Sequence, residues 1–112
     1  MEKLTQYRRA IRDLLETYAQ FKPSNVPNVE NQVIVDPEET HFVLISFGFE
    51  GNYFHYGVVM HFDLKDGKIW VQANNTEWEV GEELMQRGVA RADIVPGFQP
   101  KAYRTYSGYG VG

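Results

Sequence analysis

Residues 53–78 read YFHYGVVMHFDLKDGKIWVQANNTEW, and the dipeptide Asp66-Gly67 near their middle decides the fold. Two runs rich in β-branched and aromatic residues flank it. Asp-Gly favours a two-residue turn with positive φ at both central positions, so the stretch predicts a β-hairpin. The turn sets a register in which Lys65 faces Lys68, Leu64 faces Ile69, Asp63 faces Trp70, Phe62 faces Val71, His61 faces Gln72 and Met60 faces Ala73. Side chains alternate along a strand, so this register sorts them onto two faces. Tyr56, Val58, Met60, Phe62, Leu64, Ile69, Val71 and Ala73 make an apolar face that predicts a core. His55, Gly57, Val59, His61, Asp63, Trp70, Gln72 and Asn74 make a mixed, polar face, where chemistry or a partner is expected.

At 112 residues the chain is sized for one domain, 1–112, with a real core. It has no cysteine, which excludes disulfides, thiolate metal sites and cysteine nucleophiles. No apolar run approaches the roughly 20 residues that span a bilayer. The opening MEKLTQYRRAIRD lacks the apolar centre of a signal peptide, so a cytoplasmic protein without a membrane segment is expected.

The net charge of −4 conceals a gradient. Lys3, Arg8, Arg9 and Arg12 stand against Glu2 at the start, and Arg87, Arg91, Lys101 and Arg104 against Asp93 at the end. Between them, three lysines face thirteen acids. A DNA-binding surface would have to be assembled from the two ends, since tight DNA binders cluster Lys and Arg on phosphates. The balance favours protein contacts, with DNA contact weak or indirect.

Leu4, Tyr7, Ile11, Leu14, Tyr18 and Phe21, widened by Leu15, recur at steps of three and four and predict an N-terminal helix ended by Pro23. Its arginines 8, 9 and 12, with Asp13 and Glu16, are expected in solvent. The stripe suits packing on the domain's own sheet; the same spacing would also serve a homodimer seam. Residues 22–31 read as a loop, Gln32–Asp36 as a short strand and His41–Phe49 as a strand covered on both sides. Gly48, Gly51 and Asn52 read as the next turn. Thr76 followed by Glu79 is a capping-box pattern, predicting a short helix with Val80, Leu84 and Met85 inward and Gly88 as its left-handed end. The tail is expected to be irregular, its aromatic–glycine end pairing at a sheet edge or lying over a pocket. The fold class is therefore α+β: an antiparallel sheet centred on a long hairpin and covered by the N-terminal helix.

His61 and Asp63 share a strand face with Trp70 and Gln72. A small metal-dependent hydrolase or nuclease built from His55, His61, Asp63 and Glu77 is one reading. Divalent sites usually need three or more protein ligands, and only two are placed here, so no metal or cofactor is expected. No serine sits in a nucleophile elbow, and no glycine run opens a phosphate-binding helix.

The run H-x-D-x-x-D-G-K-I-W-V-Q followed by T-E, from His61 to Glu77, resembles the XisI family, the fdxN-element excision controlling factors of filamentous cyanobacteria. D-I-V-x-G-F at Asp93–Phe98 and R-x-x-S-G-Y-G-V-G at Arg104–Gly112 carry the same resemblance. The chain departs from the family's pattern at Phe49, Phe54, Asn74, Pro96 and Gln99. The resemblance implies a non-enzymatic accessory factor for site-specific excision of a DNA element, working beside an XisH-like protein or the recombinase machinery. Interfaces are anchored by aromatic and arginine side chains, which singles out His61, Asp63, Trp70, Gln72 and Arg104 as the contact surface.

Overall fold

The computed structural model describes residues 2–21 and 28–112. Helix α1 (Glu2–Ala19) leads into strands β1 (Val29–Val35), β2 (His41–Glu50), β3 (Tyr53–Lys65) and β4 (Lys68–Asn74). Helix α2 (Val80–Gln86), a 3-10 turn (Arg91–Asp93), strand β5 (Ile94–Pro96) and a single helical turn, α3 (Lys101–Arg104), complete it. The strands form one sheet in chain order, and α1 lies across β1, β2 and β3. The architecture is α+β, as the residues predict. No described helix is long and apolar enough to cross a membrane.

The turn at the centre is the predicted one: Asp66 and Gly67 take φ of 55° and 74°, and Lys65 pairs with Lys68. The helix stripe also behaves as read. Tyr7, Ile11, Leu14 and Leu15 are buried against Phe42, Leu44, Met60, Phe62, Ile69 and Val71 of the sheet. Each large side chain so buried stabilises the fold by about 1.5–3 kcal/mol. Phe21, read as inward, is 60% exposed and stands edge-to-face with Trp78, 5.4 Å between ring centroids.

Two bulges correct the predicted faces. Leu44 pairs with Met60 but Ile45 pairs with Val58, so Val59 is an extra residue on β3. Before that point the alternation is reversed. Tyr56 and Val58 are exposed on the uncovered face instead of buried, and Val59 joins the core. His55 and Gly57, paired with Gly48 and Ser46, turn to the helix side. The second bulge is on β4, where Phe62 pairs with Val71 but His61 pairs with Ala73 and Met60 with Asn74. Ala73 thereby leaves the predicted core face and Asn74 the polar one. A bulge inserts one unpaired residue, and nothing in side-chain alternation announces it.

The sheet is mixed rather than antiparallel throughout. β5 pairs in parallel with β4, Ile69 beside Ile94 and Val71 beside Pro96. Parallel neighbours need a long crossover, and residues 75–93, including α2, supply it. β1 begins at Val29, earlier than Gln32, and residues 22–27 of the expected loop lie outside the described residues. Gly48 belongs to β2, not the turn; Gly51-Asn52 alone reverse the chain. A Cβ on Gly48 would sit 2.2 Å from the Asn28 carbonyl oxygen. β2 is covered by the helix on the side of Phe42 and Leu44; on the other side Ile45 is buried but Phe49, at the strand's end, is 54% exposed.

The capping-box helix starts at Val80 rather than Thr76. Thr76 Oγ1 instead donates to Asn74 Oδ1 at 2.6 Å and accepts the Trp78 N–H at 3.1 Å, closing a local turn. Hydroxyls compete for backbone groups in this way and divert a helix start. Val80 and Leu84 are buried, Met85 packs against the core, and Gly88 ends the helix at φ 95°. The tail is more ordered than predicted. Gly110 N–H donates to the Ile94 carbonyl at 2.7 Å, so the glycine-rich end does reach a sheet edge.

Candidate functional site

The uncovered face of the sheet has a polar end and an aromatic end. At the polar end the β2–β3 ladder sets His41 opposite Asp63, while His61 lies two residues before Asp63 on the same face. His41 Nδ1 is 2.8 Å and His61 Nε2 2.9 Å from the same oxygen, Asp63 Oδ1. Gln72, the residue bulged out of β4, donates its amide to Asp63 Oδ2 at 3.0 Å. Burial alone would push the Asp63 carboxyl up, but the bonds from His41, Gln72 and His61 outweigh it and hold it below the usual carboxylate range. The bond to Asp63 and its charge raise the His41 imidazole.

Of the residues named from sequence, His61, Asp63 and Gln72 therefore come together. Trp70 and Arg104 also meet, but in a different way. The Arg104 guanidinium lies 5.0 Å from the indole centroid and the Lys65 ammonium 4.5 Å, while Gly112 abuts the ring edge. Trp70 is thus clamped under its own tail. His55 and Glu77 are not part of this group. His55 sits on the helix side, 2.9 Å from Glu50 Oε1 and edge-on to Tyr53. Glu77 is exposed beside a cleft of about 300 Å³ lined by Val71, Trp78, Val80, Pro96, Phe98 and Tyr109. The four-residue hydrolase site is not assembled.

Sequence reasoning missed His41. Continuing the register from Glu50 opposite Tyr53 without a break would place His41 opposite Phe62, on the core side; the bulge at Val59 moves it opposite Asp63. It also missed the aromatic end. Phe47 lies 6.4 Å from Phe54 and 6.1 Å from Tyr56, and Phe49 lies 4.9 Å from Phe54, centroid to centroid. Phe49, Phe54, Tyr56 and Val58 are 54%, 48%, 67% and 40% exposed.

The basic ends are largely engaged within the fold. Arg8 donates to the Glu39 carbonyl at 3.2 Å and Arg12 pairs with its carboxylate at 3.2 Å, a pair that stays open to solvent. Lys3 lies 3.0 Å from Asp93, and Arg87 bonds Asp13 at 2.7 Å and Glu83 at 2.9 Å.

A family model described as XisI protein matches residues 1–111. The chain is similar to the crystal structure of a XisI-like protein from Anabaena variabilis ATCC 29413, with 42% identity and a TM-score of 0.87. The match covers 97% of this chain and 99% of that one. It also resembles the fdxN element excision controlling factor XisI of the same organism, at 23% identity and a TM-score of 0.82, over 98% and 99% of the two chains. That second likeness concerns the fold alone. No curated protein matches the chain. Matched from residue 1 to residue 111, and with the fold of a XisI-like protein at 42% identity, the chain belongs to the XisI family.

Proposed function

We propose that this protein is a non-enzymatic controlling factor for site-specific excision of a DNA element, and that it works through protein contacts made by the uncovered sheet face. Family membership supports the role. The single observation that carries the mode of action is the exposed aromatic patch of Phe47, Phe49, Phe54 and Tyr56, continued along β3 by Val58. Contiguous exposed apolar surface on a globular protein commonly marks a contact site, and aromatic side chains are its usual anchors. His61, Asp63 and Gln72 form its polar margin, with Trp70 and Arg104 flanking. Lys3, Arg12 and Arg87 are paired with acids, and a net charge of −4 favours a protein partner over direct DNA binding.

The partner implied by the family is an XisH-like protein or the recombinase machinery. Co-expression of this chain with an XisH-like protein is expected to give a complex that co-purifies. Phe54→Ser combined with Tyr56→Ser should weaken it by about 2 kcal/mol or more, the scale of an interface hot spot, with the thermal melt unchanged. Undiminished binding by that variant, or no complex with either candidate partner, would refute the reading.

A further inference from the structure

We propose that His41, His61 and Asp63 form a binding site for one divalent transition-metal ion of the zinc class. The proposal goes beyond the partner reading and does not depend on it. Among the described residues this is the one group of three His, Asp or Glu side chains whose ligand atoms converge, all within 4.8 Å of one another.

Geometry carries it first. Zinc binds imidazole nitrogen at about 2.0–2.1 Å and carboxylate oxygen at about 2.0–2.2 Å in a tetrahedron, so neighbouring ligand atoms stand roughly 3.3 Å apart. His41 Nδ1 and His61 Nε2 now stand 2.8 and 2.9 Å from Asp63 Oδ1. Side-chain rotations that withdraw each ring by roughly 0.5 Å admit an ion among the three atoms. The ladder holds the three Cα positions, with His41 opposite Asp63 and His61 two residues along the same face.

Chemistry carries it second. Two imidazoles and one carboxylate suit zinc and its first-row neighbours, whereas magnesium and calcium take oxygen ligands throughout. Ligating carboxylates are ordinarily oriented by an outer hydrogen bond, and Gln72 already supplies one to Oδ2, leaving Oδ1 for the metal. Three protein ligands leave a further position, which opens toward solvent because the His41 side chain is 61% exposed. A water or a side chain of the partner would complete the ion there.

The test uses tag-free, full-length protein titrated with Zn²⁺, Co²⁺ and Mg²⁺ by calorimetry and thermal melting. One Zn²⁺ or Co²⁺ per chain is expected, with a melting temperature that rises with free ion, because a ligand of the native state stabilises it by mass action. Mg²⁺ should do neither. His41→Ala removes an exposed ligand and should weaken Zn²⁺ binding by about 100-fold; Asp63→Asn should weaken it similarly, and His55→Ala should leave it unchanged. Absence of stoichiometric binding, binding that survives His41→Ala, or binding lost in His55→Ala would each overturn the site. Each would reduce the cluster to a hydrogen-bonded trio. Co-purification with the partner is read separately, so either proposal can fail without the other.

Discussion

Replacing Tyr7 by Phe removes one oxygen from the junction between α1 and the segment entering β5. That oxygen donates to Asp93 Oδ2 at 2.5 Å and accepts the Ala90 N–H at 3.3 Å. A hydrogen bond to a charged group is worth about 1.5–3 kcal/mol, and the long bond from Ala90 adds less. We expect a loss of about 2–3 kcal/mol at pH 7, or roughly 10 °C in melting temperature for a domain of this size. The loss should shrink in acid. Burial alone would raise the Asp93 carboxyl, yet the Tyr7 hydroxyl and the Lys3 ammonium hold it below the usual range. A depressed folded pKa contributes stability that is fully present above the unfolded value, near 3.9, and is lost as pH falls through the folded value. The variant loses the Tyr7 contribution to that depression and keeps the Lys3 one, so its stability should fall less steeply below pH 4. Urea unfolding at neutral pH and at about pH 3, with unchanged m-values, measures both effects. A neutral-pH loss under about 0.5 kcal/mol, or the same loss at both pH values, would refute this account of the junction.

Gly48→Ala should destabilise by at least about 2 kcal/mol in urea unfolding, because its Cβ would strike the Asn28 carbonyl oxygen and its φ is 152°. Phe42→Ala, fully buried beneath α1, should cost about 3–5 kcal/mol by the same measurement. Arg12→Ala breaks a pair with Glu39 that is largely open to water, so it should cost under about 1 kcal/mol, and less in high salt.

Much of the frame was legible in the residues because local chemistry dictates it. Asp66-Gly67 needs no tertiary context to form its turn, and the stripe from Leu4 to Leu15 finds its core by periodicity alone. The site was only half legible. His61 and Asp63 are two apart on one strand, so alternation puts them together under any register. His41 arrives from another strand through a pairing that depends on the Val59 bulge, which side-chain alternation does not reveal. Thr76-x-x-Glu79 misled because the threonine hydroxyl had a nearer claim, Asn74 and the Trp78 N–H. The D-I-V-x-G-F motif that helped identify the family has a plain structural basis. Asp93 anchors Tyr7 and Lys3, Ile94 and Val95 are buried in β5, and Gly97 lies against Gln72 and Trp70.

The extra residue at Val59 also sets where this chain can change its length. Removing Val59 would leave Leu44 beside Met60 and Ile45 beside Val58, every neighbour already in place, whereas dropping Phe62 would turn the rest of the strand inside out. Relatives one residue shorter in this segment should therefore carry their gap at that point and still bring the two histidines and the aspartate into one cluster.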